Sequence, residues 1–213
     1  MRILYFSDIH QNFSTLERLP EADLVLIGGD FTNFGTPQDF REAVRQVEAR
    51  FPGFLAVAGN LDPREADNIL EETGHWLPPR QSQSHSLNLM GVSGSNICPK
   101  PTPFQWDDQE MEQRLEALPP FALDILVTHA PPMGSGADVI PNGLHVGSTA
   151  VARFSTQRAP RLHLCGHIHE AAGCFSWENT TVVNCGALGE EGHHALIHWV
   201  SSQEAPQISL HTC

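Results

Sequence analysis

Short runs of apolar residues, each ending in a polar side chain with an electron pair to share, recur along this chain. Residues 1–7 (MRILYFS) lead into Asp8 and His10, 23–29 (DLVLIGG) into Asp30, and 54–59 (FLAVAG) into Asn60. Residues 124–129 (DILVTH) close on His129, and 161–166 (RLHLCG) lead into His167 and His169. Runs this short, bounded by turn residues, read as strands buried on both faces. Between the first of them lie helical patterns. In residues 36–50, Phe40, Val44 and Val47 share one helical face and Pro37 suits a first turn. Residues 63–72 read as a second helix, so the first half predicts β-α-β units with largely parallel strands.

The second half has a different rhythm. Residues 105–118 predict a helix whose Asp107, Asp108 and Glu110 occupy the first turn, where the macrodipole favours negative charge, so the acid cluster needs no catalytic role. After His129 comes a Gly- and Pro-rich segment, 130–147, too long for a plain connector. Ser148 then suits the N-cap of a short helix ending at Arg158. From Arg161 onward the pattern is mostly strand: 161–166, 172–177, 180–185, 194–200 and 207–211. The expectation is an α/β (α+β) fold in one domain over residues 1–213.

In open α/β sheets, ligands bind outside the carboxyl ends of the strands, so the seven residues closing the apolar runs should converge. Their chemistry is informative. Carboxylates and imidazoles with one amide oxygen and no thiolate suit manganese, iron or zinc. Seven ligands are too many for one tetrahedral ion but serve two ions if a carboxylate bridges them, an arrangement that can clamp the attacking and leaving oxygens of a phosphoryl displacement.

Composition narrows the partners. With 40% hydrophobic residues and a formal net charge of -13, the chain is neither disordered in composition nor basic enough for a nucleic-acid footprint. Only 12 residues are Lys or Arg, so positive charge for an anionic substrate falls to bound divalent cations. No membrane segment or secretory signal is evident. The cysteines, at 98, 165, 174, 185 and 213, make neither a CxxC pair nor an even disulfide framework, which points to reduced thiols and a cytoplasmic setting. Cys165 and Cys174 flank His167 and His169, but structural zinc usually takes two close-spaced pairs. Cys165 is read as a packing residue.

Taken in order, Asp8-Ile9-His10, Gly29-Asp30, Gly59-Asn60, Thr128-His129 and Gly166-His167-Ile168-His169 resemble the motif set of the calcineurin-like metallophosphoesterase superfamily, over residues 1 to about 190. The HAPP segment at 129–132, His145-x-Gly-Ser148, GHIHE and the VNxG strand at 183–186 resemble its compact bacterial and archaeal phosphoesterases. The resemblance implies a four-layer αββα sandwich with two mixed β-sheets. It implies two divalent metal ions (Mn, Fe or Zn, with Mn favoured), the first held by Asp8, His10 and His169, the second by Asn60, His129 and His167, with Asp30 bridging. A metal-bridging hydroxide would be the nucleophile, and a phosphoester small molecule or nucleotide the substrate. A purple-acid-phosphatase centre is excluded, because Asn33 stands where that branch has a Tyr ligand and the only tyrosine is Tyr5.

One departure matters. The superfamily's Gly-Asn-His-acid motif is here Gly59-Asn60-Leu61-Asp62, without the imidazole thought to assist the leaving oxygen. General acid catalysis contributes about 10²- to 10⁴-fold, so its loss favours phosphodiesters and activated esters over alkyl monoesters. His145 is a candidate replacement donor, with a structural role at the helix start as its alternative. Asn12 and Asn33 are candidates for substrate contact, or else turn residues, and Gly186 is read as supporting a tight turn. The remaining histidines, at 75, 85, 163, 193, 194, 198 and 211, are read as surface or hydrogen-bonded residues. The competing function is a protein-binding scaffold, as in a retromer subunit of this fold that also lacks the motif histidine. A scaffold has no physical need for all seven ligands, which favours the hydrolase. A nuclease is disfavoured by the acidic charge.

Overall fold

The computed structural model describes residues 1–80, 82–118, 120–201 and 204–213. Strand β1 (Arg2–Phe6) pairs in parallel with β2 (Leu24–Ile27), and β2 with the short β3 (Leu55–Ala56). Strands β4 (Ser82–Ser84) and β5 (Leu87–Val92) form a hairpin, and β6 (Ser95–Asn96) meets β7 (Gln105–Trp106) in a small separate ladder. The later strands are β8 (Ile125–Thr128), β9 (Leu162–Cys165), β10 (Gly173–Trp177), β11 (Thr180–Asn184), β12 (His194–His198) and β13 (Gln207–His211). One sheet has the order β13-β12-β1-β2-β3 and the other β10-β11-β9-β8-β5-β4. Both are mixed, since β12 runs antiparallel to β1, and β4 and β10 antiparallel to their neighbours.

Alternation along each central strand builds the layers. In β1, Leu4 and Phe6 face α1 (Pro37–Arg50) and α2 (Ala66–Thr73), packing with Phe40, Val44, Ile69 and Leu70. Ile3 and Tyr5 point the other way, onto Leu89, Ile125, Val127 and Leu164 of the second sheet. The outer face of that sheet packs Met90 and Leu126 against α3 (Asp108–Glu116) and α4 (Thr149–Arg158), through Met111, Leu115, Val151 and Phe154. The result is the four-layer αββα sandwich. Strands with two buried faces must be apolar throughout, which is why they stood out in the sequence.

The helix ends follow from local chemistry. Thr36 and Asp39 close a capping box on α1, with the Asp39 carboxylate accepting from Thr36 N at 2.8 Å. Helix α3 is shorter than the expected 105–118, because residues 105 and 106 are drawn into β7. Asp107 is its N-cap, accepting from Gln109 N at 2.9 Å, while Asp108 accepts from the Ser148 and Thr149 hydroxyls and ties α3 to α4. Among the described residues no helix is long and apolar enough to cross a membrane.

His163 of β9 is fully buried between two hydroxyls, with Nε2 2.8 Å from Thr128 Oγ1 and Nδ1 3.1 Å from Ser155 Oγ. Burial pushes its pKa down to about 3. The folded ring stays neutral where an unfolded histidine takes a proton, near 6.5. Its contribution to stability is therefore complete above about pH 6.5 and lost as pH falls toward 3, by about 1.4 kcal/mol per unit. In urea unfolding at pH 6.5 and 5.5, the loss of stability on acidification should be smaller in His163→Gln than in wild type by about 1 kcal/mol. Equal losses would contradict the buried neutral ring.

Candidate metal centre

The parallel strands of both sheets deliver the site. Asp8 follows β1, Asp30 follows β2, Asn60 follows β3, His129 follows β8 and His167 follows β9, so all reach the same edge from carboxyl ends. Four of the seven sit on strained backbone: φ is +58° at Asp8, +48° at His10, +49° at Asp30 and +70° at His167. Left-handed non-glycine residues each cost on the order of 1–3 kcal/mol and persist only where surrounding structure imposes them. Here the Asp8 N–H donates to Gly29 O at 2.9 Å and the His10 N–H to Asp30 O at 3.0 Å, locking the first two loops together. Close approach demands glycine at two points. A Cβ on Gly59 would run into the Asp30 carboxylate, and one on Gly166 into Ser7 and the Asp8 carboxylate.

Two clusters of ligand atoms result. In the first, Asp8 Oδ1 lies 3.2 Å from His169 Nε2 and 3.8 Å from His10 Nε2, and the two imidazole nitrogens are 3.4 Å apart. Asp8 Oδ1 is buried and, among the described residues, makes no hydrogen bond, whereas Asp8 Oδ2 accepts from the His167 N–H at 3.1 Å. In the second, His129 Nε2 lies 2.8 Å from Asn60 Oδ1 and 3.5 Å from Asp30 Oδ2. The Gly28 carbonyl, 2.9 Å from His129 Nδ1, can only accept, so Nδ1 carries the proton and Nε2 presents a lone pair. Three electron-pair donors thus face one another around Nε2, an arrangement that a cation resolves. Asp8 belongs to both metal-competent triads, with His10 and His169 on one side and with Asp30 and His129 on the other.

His167 is brought beside the second cluster, its ring centroid 5.0 Å from that of His129. Its Nε2 is 3.6 Å from the thiol of Cys98. Among the described residues the ion partners of Asp8 and Asp30 are histidines, never lysine or arginine. Burial, reinforced by the charges of Asp62 and Asp8, therefore holds the Asp30 carboxyl well above the usual carboxylate range. Burial also lowers the pKa of His129, and that of His167 to about 3, keeping both neutral as metal ligands require. His169 differs: burial opposes its charge, but Asp8 and Glu190 outweigh that and raise it to about 9.

Residues 1–202 match the family described as the calcineurin-like phosphoesterase superfamily domain. The chain belongs to that superfamily. Its members are metal-dependent phosphoesterases, which supports a hydrolase with divalent-metal ligands here. An uncharacterized protein of Methanocaldococcus jannaschii is 29% identical over 191 residues, covering 86% of this chain and 87% of its own. The human metallophosphoesterase domain-containing protein 1 is 25% identical, over 86% of this chain and 65% of the human one. Among solved structures, TT1561 of Thermus thermophilus shares the fold with a TM-score of 0.70 at 18% identity, covering 99% of this chain and 98% of that one. A dimetal phosphatase from Danio rerio does so with a TM-score of 0.59 at 9% identity, over 98% of each chain.

The other expected residues divide. Asn33 lines the cleft over the two clusters. Asn12 does not: its Nδ2 donates to Gly189 O at 2.7 Å and its Oδ1 accepts from the Ser14 hydroxyl at 2.7 Å, a loop-bracing role. His145 also lies outside the cleft lining, with Nδ1 2.8 Å from Oδ1 of the buried Asp138, which gathers the 134–147 loop. The sulfurs of Cys165 and Cys174 join neither metal-competent triad, and Cys165 is buried in its strand. Gly186 takes φ +79°.

Several functional positions escaped the sequence reading. Asp62, fully buried, accepts from Thr32 N at 2.8 Å, Thr32 Oγ1 at 2.8 Å and Gly59 N at 2.9 Å, pinning the Asp30 loop to the Asn60 loop. Glu190 lies 3.3 Å from His169 Nδ1 and orients that ring. Phe34, Cys98, Lys100 and Thr102 line the cleft, the last three from the segment after β5. The run LNLMGV at 87–92 was the available signal for that strand.

Metal binding must displace the proton that Asp8 and Glu190 hold on His169 at neutral pH. Calorimetric titration with Mn²⁺ at pH 7, in buffers of different ionisation enthalpy, should show release of at least about one proton, with affinity rising as pH rises toward 9. No proton release would contradict this electrostatic picture.

Proposed function

We propose that this chain is a binuclear metal-dependent phosphoesterase, favouring phosphodiesters or activated esters over alkyl monoesters. The observation that carries the reading is the set of ligand atoms gathered around Asp8, Asp30 and His129, with no lysine or arginine paired to them among the described residues. Asp8, His10 and His169 would hold one ion and Asn60, His129 and His167 the other, with Asp30 shared. Mn²⁺ is the favoured ion, with Fe and Zn as alternatives. The precedent of a dimetal phosphatase with the same fold agrees with two ions. When bound, the ions would acidify water and neutralise charge on the phosphoryl oxygens. The protein's own part is orientation. Gly28 and Glu190 fix the tautomers of His129 and His169, and Asp62 holds the second and third strand ends in register. Asn33, which lines the cleft, would hydrogen-bond a phosphoryl oxygen. Five unpaired cysteines support a cytoplasmic setting.

Leu61 sits in the cleft lining next to Asn60, where an imidazole would reach the leaving oxygen. Reduced assistance there favours esters whose leaving groups depart unaided. On Mn²⁺-loaded protein, bis(p-nitrophenyl) phosphate should be turned over faster than alkyl monophosphates, and Asp30→Ala should abolish both activities. Leu61→His should raise alkyl monoester turnover by about 10²-fold with little effect on aryl diesters. Turnover that survives Asp30→Ala, or that prefers alkyl monoesters in wild type, would contradict the proposal. Two ions bound without any Asp30-dependent turnover would favour the scaffold.

A further inference from the structure

Lys100 is the only lysine in the 213-residue chain; the rest of its 12 Lys and Arg residues are arginines. It is also the only Lys or Arg, among the described residues, lining the cleft of about 380 Å³ above the two metal-competent triads. Its Nζ rests 5.0 Å from the centroid of the Phe34 ring. Phe34 is itself unusual, 45% exposed with φ at +57°, and its backbone N–H donates to Leu61 O at 3.1 Å. Lys100, Phe34 and Leu61 therefore form one continuous wall of the cleft, on the side of the position that lacks its imidazole. The backbone behind Lys100 is tethered by Gln105, whose Nε2 donates to Lys100 O at 3.4 Å. An ammonium resting on an aromatic face gains only about 0.5–1 kcal/mol at an exposed site, so it can leave the ring for a stronger anion at little cost.

We propose that Lys100 stabilises the leaving oxygen, through a charge-assisted hydrogen bond from Nζ, supplying part of the assistance that a histidine at position 61 would complete. The inference rests on the phosphoesterase reading and adds a catalytic residue to it. A water oxygen forms its bond to phosphorus as the ester P–O bond breaks. The electron pair of the broken bond passes to the leaving oxygen, where the ammonium meets the developing charge. The attacking water loses its proton to solvent, and the departing alkoxide takes one from solvent, so ester and water become alcohol and phosphate. Such a donor acts mainly in the transition state, where charge develops. A flexible lysine on the cleft wall also differs from a ring fixed beside Asn60, because it can serve leaving groups of different size.

The test compares wild type, Lys100→Ala, Lys100→Arg and Lys100→Ala/Leu61→His on Mn²⁺-loaded protein, across esters of graded leaving-group pKa. Loss of Lys100 should cost on the order of 10²-fold in kcat for alkoxide leaving groups and little for nitrophenolate, making the dependence on leaving-group pKa steeper. The arginine variant and the added histidine should each restore part of the loss. Calorimetry with inorganic phosphate gives a readout independent of turnover. Its fourth oxygen occupies the leaving-group position, so Lys100→Ala should bind phosphate about tenfold more weakly than wild type, with Mn²⁺ affinity unchanged. Unchanged phosphate affinity, or a uniform rise in KM across all leaving groups with kcat intact, would overturn the assignment. If Asp30→Ala abolishes turnover while Lys100→Ala does not alter it, only this inference fails. If Asp30→Ala leaves turnover intact, the phosphoesterase reading fails instead.

Discussion

Three buried carboxylates, Asp8, Asp30 and Asp62, share one edge of the sandwich, and among the described residues the ion partners of Asp8 and Asp30 are imidazoles alone. Burying an ionised carboxylate without compensation is among the costliest arrangements a protein can make. Asp62 meets the cost with hydrogen bonds from Thr32 and Gly59. Asp8 and Asp30 do so only in part, leaving the Asp8 Oδ1 atom without a hydrogen bond among the described residues. The rest of the site is organised around that deficit. Neutral rings at His129 and His167, the proton held on His169 and the raised Asp30 pKa are its electrostatic consequences. A pair of divalent cations would remove it.

The backbone carries a second cost in the same place. Asp8, His10, Asp30 and His167 are held left-handed, and Gly59 and Gly166 stand where no side chain fits. This is the geometry of strands that stop abruptly and turn their next side chains into a common crevice. Each cluster draws on both sheets, Asp8 and His10 with His169 in the first and Asp30 and Asn60 with His129 in the second, so both lie at the inter-sheet seam. The apolar packing of Ile3, Tyr5, Leu89, Val127 and Leu164 between those sheets is therefore what holds the two sides of each cluster together. Folding free energy holds both strains, which is the usual pattern at a functional site.

Much of this was legible in the sequence because doubly buried strands are apolar along their whole length. β1, β2, β8 and β9 announced themselves in that way, and with them the positions of Asp8, Asp30, His129 and His167. β5 was not read, since Asn88 and the polar hairpin before it interrupt the apolar pattern, and so the segment bearing Cys98, Lys100 and Thr102 had no expected place. Tertiary pairing shortened α3 by claiming Gln105 and Trp106 for a ladder that no local pattern encodes. Side-chain engagement was equally hidden. Asn12 and Asn33 look alike in sequence, yet one braces a loop through Gly189 and Ser14 while the other lines the cleft. His145 likewise turns to Asp138 rather than to the cleft.

Two cations joined through Asp30, at the end of β2, would meet the carboxylate deficit. Crystals grown with Mn²⁺ and measured at the manganese absorption edge test it most directly. Two anomalous peaks about 3.5 to 4 Å apart are expected, with Asp30 between them, Asp8, His10 and His169 on one ion and Asn60, His129 and His167 on the other. A single peak, or two peaks that do not share an aspartate, would contradict it.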